Sequence, residues 1–152
     1  MMTRYVGRSI AIIEDDYDYT QLIIDQLEWQ GFCFHIATNG ADGIRLVRAR
    51  EPDLVILDLG LTTKHEGFQV LEQLQADPRT CTIPVIIHSI RASERSLRAR
   101  GLLLGAWYCI DKDDSLAELE VTVQRALHIR AGARTGMARR RLLPLVLTPT
   151  YN

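Results

Sequence analysis

Short apolar runs alternate along the chain with longer stretches in which apolar residues recur every three or four positions. The runs suit strands buried on both faces, and the i, i+4, i+8 spacing suits one face of a helix. Ile10–Ile13 predicts a first strand. Tyr17–Trp29 predicts a helix with Tyr19, Ile23 and Leu27 inward, stopped by Gly31. Phe32–Ala37 reads as a second strand. Asn39 caps a helix running to about Arg50, with Ile44 and Val47 inward. Pro52 precedes a third strand, Leu54–Leu57. Gly60–Glu66 reads as a polar loop and Phe68–Gln75 as a helix with Phe68, Leu71 and Leu74 on one side. Pro84 opens a fourth strand, Val85–Ser89, and Ser93 is expected to cap a helix to about Leu103. Gly105 and Ala106 lead into a fifth strand, Tyr108–Ile110. Asp114 or Ser115 caps a last helix, with Leu116, Leu119, Val123 and Leu127 inward.

Five βα units imply an α/β fold, a doubly wound parallel sheet with helices on both faces, because parallel strands need right-handed crossovers. Such sheets bind ligands at the carboxyl ends of their strands. Two of the apolar runs end in acid: Ser9–Ile13 runs into Glu14, Asp15 and Asp16, and Leu54–Leu57 into Asp58. Ionised carboxylates are costly to desolvate without a compensating positive group. A cluster of them at one sheet edge suits a hard cation with oxygen ligands, such as Mg²⁺. The same edge receives Ser89 and the segment around Lys112.

Composition narrows the picture. With 152 residues, 47% hydrophobic and 24% charged, one globular domain is the expectation. The net charge of −1 hides an asymmetry: no acid follows Glu120, whereas Arg130, Arg134, Arg139, Arg140 and Arg141 all lie beyond it. Without those five arginines the body has 13 basic against 19 acidic residues, a charge of −6. Cys33, Cys81 and Cys109 show no metal or redox spacing. Cys33 and Cys109 sit in strand-like contexts and are expected as buried, inert thiols, which fits a reducing cytoplasm. No signal region or membrane-length apolar stretch is present, so no membrane partner is expected.

Glu14-Asp15-Asp16, Asp53-Leu-Val-Ile-Leu-Asp58, Pro84-Val-Ile-Ile-His-Ser89 and Gly105-Ala106 followed by Lys112 occur in order, at βα spacing. Together they resemble the receiver domain of two-component response regulators, over roughly Ser9 to Leu127. The resemblance implies a flavodoxin-like (CheY-like) sheet of strand order 2-1-3-4-5. It implies phosphoryl acceptance on Asp58, with Mg²⁺ held by Glu14, Asp15, Asp58 and the backbone carbonyl of Gly60. Ser89 would hydrogen-bond the phosphoryl group and Lys112 would pair with it. The implied partners are a sensor histidine kinase or phosphotransfer protein and a downstream protein target. A homodimer could form through the face of helix four, strand five and helix five, or through the tail. The organisation expected is an N-terminal extension at 1–8, the receiver domain at 9–129 and a basic, apolar tail at 130–152. That tail leaves no room for a helix-turn-helix, so nucleic-acid binding is not expected. The protein would be a phosphoacceptor in a phosphorelay, not a turnover enzyme.

Some residues depart from the family pattern. Ile90 stands where a small residue is usual and is expected to narrow access to Asp58. Asp113 replaces proline after Lys112, so the bond there is expected trans. Asp111, Asp113 and Asp114 are expected to compete with phosphate for Lys112. Cys109 stands where an aromatic switch residue is usual, and His88 is expected to point away from the site toward the surface or a helix. Two rival readings remain open: a receiver-like interaction module that is never phosphorylated, and an Asp-based phosphatase of the haloacid-dehalogenase type built on Asp16, Asp18 and Thr20.

Overall fold

The computed structural model describes residues 4–61, 63 and 66–134. The elements run β1 (Ser9–Ile13), α1 (Tyr17–Leu27), β2 (Cys33–Ala37), α2 (Gly40–Arg50), β3 (Leu54–Leu57), α3 (Glu66–Ala76), β4 (Val85–Ser89), α4 (Arg95–Leu103), β5 (Tyr108–Asp111) and α5 (Leu116–Arg134). All pairings are parallel, and the order is β2-β1-β3-β4-β5. The predicted sheet and its order are therefore observed.

Strand alternation sorts the core into two layers. Ile10, Ile12, Leu54, Ile56 and Ile86 face α1 and α5, where Ile23, Leu27, Leu119, Val123 and Leu127 meet them. Ala11, Ile13, Val55, Leu57 and Ile87 face the other helices, contacting Ile44, Val47, Phe68 and Leu71. The central strands are buried on both sides, which explains their unbroken apolar runs. β2 is an edge strand and more open: Cys33 and Ile36 are exposed, Phe34 and His35 half-buried, and Ala37 buried. Cys33 is exposed there, so the expectation of a buried Cys33 is corrected; Cys109, on β5 against α4, is buried.

Helix ends follow local chemistry. Asp16 caps α1 by accepting the Tyr19 N–H at 3.0 Å, and Asn39 caps α2 through the Asp42 N–H at 2.9 Å. After α1 the chain tightens into a 3₁₀ turn, Glu28–Gln30, and Gly31 stops it at φ 92°. Ser115 caps α5 through the Glu118 N–H at 3.3 Å. Ser93 does not cap α4: its hydroxyl and N–H donate to Asp111 at 2.6 and 3.1 Å, and Glu94 holds the cap position without a side-chain bond. The nearby carboxylate of β5 wins the hydroxyl, tying the β4–α4 loop to the neighbouring strand.

At the amino ends of the strands, Asp53 gathers distant segments. It accepts the Ser9 N–H at 2.9 Å and pairs with Arg8 at 3.1 Å. Arg130 of α5 donates to the Pro52 carbonyl at 3.1 Å and to the Asp53 carbonyl. Ahead of β1, Tyr5 stacks on Phe32 at 4.7 Å. Arg4, Arg8, Arg125, His128 and Arg130 line a cleft of about 440 Å³ between this segment and α5. α5 continues through Arg130 to Arg134. The expectations for 135–152, including the apolar Leu142–Leu147 segment and its dimer role, lie outside the described residues, as do Thr62, Lys64 and His65.

Candidate functional site

The first strand ends one residue before its acids. Glu14 continues the β1–β2 ladder by donating its N–H to Ala37 at 3.0 Å, and Asp58 continues the β1–β3 ladder by donating to Ile13 at 3.0 Å. The ladder therefore sets Glu14 and Asp58 side by side, and both are buried. Asp15 is exposed beside them, and one oxygen from each of Glu14, Asp15 and Asp58 lies within 4.8 Å of the others. The Gly60 N–H donates to Asp58 Oδ1 at 3.1 Å, which brings its peptide next to that acid. Ser89, also buried, closes β4; its carbonyl accepts the Lys112 N–H at 3.0 Å and so joins the lysine loop to the same edge.

Lys112 supplies the positive charge. Its Nζ lies 2.6 Å from Glu14 Oε2 and 3.4 Å from Asp58 Oδ2. The expected competition from flanking acids is not what the structure has. Asp111 accepts from Ser93 and from the Asp113 N–H at 2.9 Å, and the Ser93 hydroxyl holds its carboxyl below the usual carboxylate range. Asp113 and Asp114 are exposed. The competitor for Lys112 is Glu14, across the site. Burial pushes the Glu14 carboxyl up to about 7; the Lys112 hydrogen bond opposes this and the Asp58 charge adds to it.

His88 takes the second of the two places expected for it, against a helix, α1, and not at the surface. It is buried, with Nε2 2.6 Å from the Tyr19 hydroxyl and Nδ1 3.1 Å from the Ile110 carbonyl. A carbonyl only accepts, so Nδ1 carries the proton and Nε2 accepts from Tyr19. Burial pushes the imidazole below its usual value and the Tyr19 hydroxyl up to about 12, keeping both neutral. The Tyr19 ring in turn lies 4.4 Å from Lys112 Nζ. Tyr19 reads from periodicity only as an inward helix position. The available signal was two hydrogen-bonding side chains assigned to one buried face, which must then find partners.

The remaining departures resolve as follows. Ile90 is 66% exposed while Asp58 is 6% exposed, so Ile90 is not buried over the acids. Among the described residues no peptide bond is cis, so the Lys112–Asp113 bond is trans. Cys109 is buried, its carbonyl accepts from the Arg98 guanidinium at 2.8 Å, and burial pushes its thiol up to about 11. Asp16, Asp18 and Thr20 form the start of α1: Asp16 caps it and the Thr20 hydroxyl bonds back to the Asp16 carbonyl at 3.0 Å. That string is helix chemistry and brings no phosphatase site together.

Three carboxylates facing one ammonium leave an excess of negative charge. All the donors are oxygens, and Glu14 and Asp58 are buried, where uncompensated negative charge is costly. The set fits a hard divalent cation such as Mg²⁺.

Comparison with known proteins agrees with this geometry. Residues 10–124 match the family model for the response regulator receiver domain. The DNA-binding dual master transcriptional regulator RpaA of Synechocystis is 40% identical over 78 residues, which is 51% of this chain and 32% of that protein. Protein PilH of Pseudomonas aeruginosa is 35% identical over 85 residues, 56% of this chain and 69% of PilH. The chain thus spans about a third of RpaA's length. The receiver domain of the Pseudomonas aeruginosa sensor histidine kinase PA1611, solved with a magnesium ion in its active-site cleft, superposes with a TM-score of 0.72. It is 21% identical, and the match covers 81% of this chain and 99% of that one. With the sheet order, the acidic edge and the match over 10–124 in agreement, the chain belongs to the response regulator receiver domain family.

Proposed function

We propose that this protein accepts a phosphoryl group on Asp58 from a histidine kinase or phosphotransfer partner and passes the signal on by protein contact. The observation that carries the reading is the Lys112 ammonium, 2.6 Å from Glu14 and 3.4 Å from Asp58, beside three carboxylates whose oxygens cluster within 4.8 Å. Glu14, Asp15, Asp58 and the Gly60 carbonyl would hold Mg²⁺, which offsets the charge on the phosphoryl oxygens when bound.

An Asp58 oxygen forms the new bond to phosphorus as the phosphorus–nitrogen bond of a phosphohistidine donor breaks. The bonding pair stays with the imidazole, which takes up a proton from solvent. The Ser89 hydroxyl donates to a phosphoryl oxygen, and the Lys112 ammonium neutralises charge on the transferring group. Phosphoryl transfer depends mainly on this positioning and charge. Movement of Ser89 and Lys112 toward the acyl phosphate would be felt by α4, β5 and α5. Ser93–Asp111 and Arg98–Cys109 already tie α4 and its preceding loop to β5. That face is the proposed contact surface for a downstream protein or a second copy. A cytoplasmic setting fits three unpaired cysteines. The receiver body, expected at 9–129, extends further among the described residues, because α5 runs to Arg134 and Arg130 donates to the Pro52 carbonyl.

The test is intact mass after incubation with Mg²⁺ and a phosphodonor. Wild type gains one phosphoryl group and Asp58→Asn gains none. No gain on wild type from either a small donor or a cognate kinase would discard the reading. It would favour instead the module that is never phosphorylated, which the buried Cys109 at the usual aromatic position also favours.

A further inference from the structure

Lys112 pairs more closely with the wrong acid. It lies 2.6 Å from Glu14 and 3.4 Å from Asp58, yet Asp58 is where the phosphoryl charge would develop. A cation bound at Glu14 would repel the ammonium from that carboxylate. Something other than Glu14 must then keep the lysine near Asp58.

The Tyr19 ring is placed to do so. Its centroid is 4.4 Å from Lys112 Nζ, and an aromatic face attracts an ammonium without competing for a metal. The ring is held at two ends. At the backbone, the Tyr19 N–H donates to the Asp16 carboxylate at 3.0 Å. At the far end its hydroxyl donates to His88 Nε2 at 2.6 Å, and His88 is fixed in turn by its 3.1 Å bond to the Ile110 carbonyl. Three elements, α1, β4 and β5, thus converge on the orientation of one ring. His88 is 1% exposed and the Lys112 side chain 11%, so the groups at either side of the half-buried Tyr19 ring are shielded from water.

We infer that Tyr19 and His88 are positioning residues for Lys112: the Tyr19 ring, oriented by His88, keeps the ammonium within reach of Asp58 once Glu14 turns to Mg²⁺. This rests on the reading of Asp58 as phosphoryl acceptor beside a bound cation. Neither residue touches the reacting atoms.

The chain has only two lysines, Lys64 and Lys112. Selective ¹³C-lysine labelling of the full chain therefore gives two signal sets, assigned with Lys64→Arg. The ε-methylene of Lys112 is expected upfield from ring-current shielding, to stay upfield at saturating Mg²⁺, and to lose the shift in Tyr19→Leu. Tyr19→Phe, which keeps the ring and so controls for folding, retains most of it. Phosphoryl uptake from a small donor is expected to slow about tenfold in Tyr19→Leu and less in Tyr19→Phe and His88→Gln, with Mg²⁺ affinity unchanged. A Lys112 signal that relaxes to the exposed value on Mg²⁺ addition, or a Tyr19→Leu uptake rate within about twofold of wild type, overturns the inference. If wild type takes up no phosphoryl group, the reading of Asp58 fails by itself, and the Lys112 signal alone decides whether the ring holds the ammonium.

Discussion

At the residue scale, Glu14 carries the sharpest conflict in the molecule. Its side chain is buried between a second acid and an ammonium, and burial lifts its carboxyl from the usual 4.5 to about 7. Between those values the folded protein holds a proton that the unfolded chain has released. The free energy of unfolding must then fall as pH rises through that window. In metal-free buffer, the stability of wild type minus that of Glu14→Gln should decline from pH 4.5 to 7, by at most about 3 kcal/mol. Urea titrations at several pH values would measure it, and a pH-independent difference would contradict the assignment. The acids, Ser89 and Lys112 were legible in the sequence because each follows an apolar run, and polar groups at the ends of buried strands are conspicuous. The pairing of Tyr19 with His88 was not. It joins a helix to a strand 69 positions away, and periodicity reports the face of a residue but not the neighbour across the interface.

At the scale of elements, close approach is set where side chains are missing. A Cβ on Gly67 would lie 2.5 Å from the Leu59 Cα and 2.7 Å from the Asp58 carbonyl oxygen. The first turn of α3 therefore rests directly on the backbone that presents Asp58. A Cβ on Gly101 would run into Ile87 Cδ1, the movable tip of a side chain. Gly67→Ala should cost about 1–3 kcal/mol and Gly101→Ala distinctly less, read as urea midpoints at constant m. The reverse order would show that α3 can shift more freely than its packing implies. Element type was legible throughout, but some ends were not. Glu66 reads as loop, yet it begins α3, where its carboxylate accepts the Gly40 N–H at 2.6 Å and joins the starts of α2 and α3. Ser93 reads as a cap until Asp111 of another strand claims it. Both outcomes depend on partners far away in the chain, which local pattern does not contain.

At the scale of the whole molecule, alternation of strands and helices already required a parallel sheet covered on both faces. The order of the strands came from the family resemblance, because apolar runs alone do not say which strands are neighbours. The linkage through Asp53 was hidden for a similar reason. Arg8, Ser9 and Arg130 come from opposite ends of the described chain and meet only once β1, β3 and α5 are in place.

The basic cleft beneath the sheet gives the molecule an electrical direction. Arg4, Arg8, Arg125, His128 and Arg130 gather at one end, while Glu14, Asp15, Asp16, Asp58, Asp113 and Asp114 crowd the other. The 19-residue α5 starts just after Asp113 and Asp114 and carries Arg125, His128 and Arg130 about 14–21 Å along its axis. The described residues therefore carry a charge dipole, through which two copies attract end to end while repelling end to like end. That attraction reaches over the Debye length, about 30 Å in 0.01 M salt and about 8 Å at 0.15 M. Light scattering should find the second virial coefficient rising as salt is added from the low end. A coefficient that falls steadily instead would mean that net charge, not its direction, governs how these molecules meet.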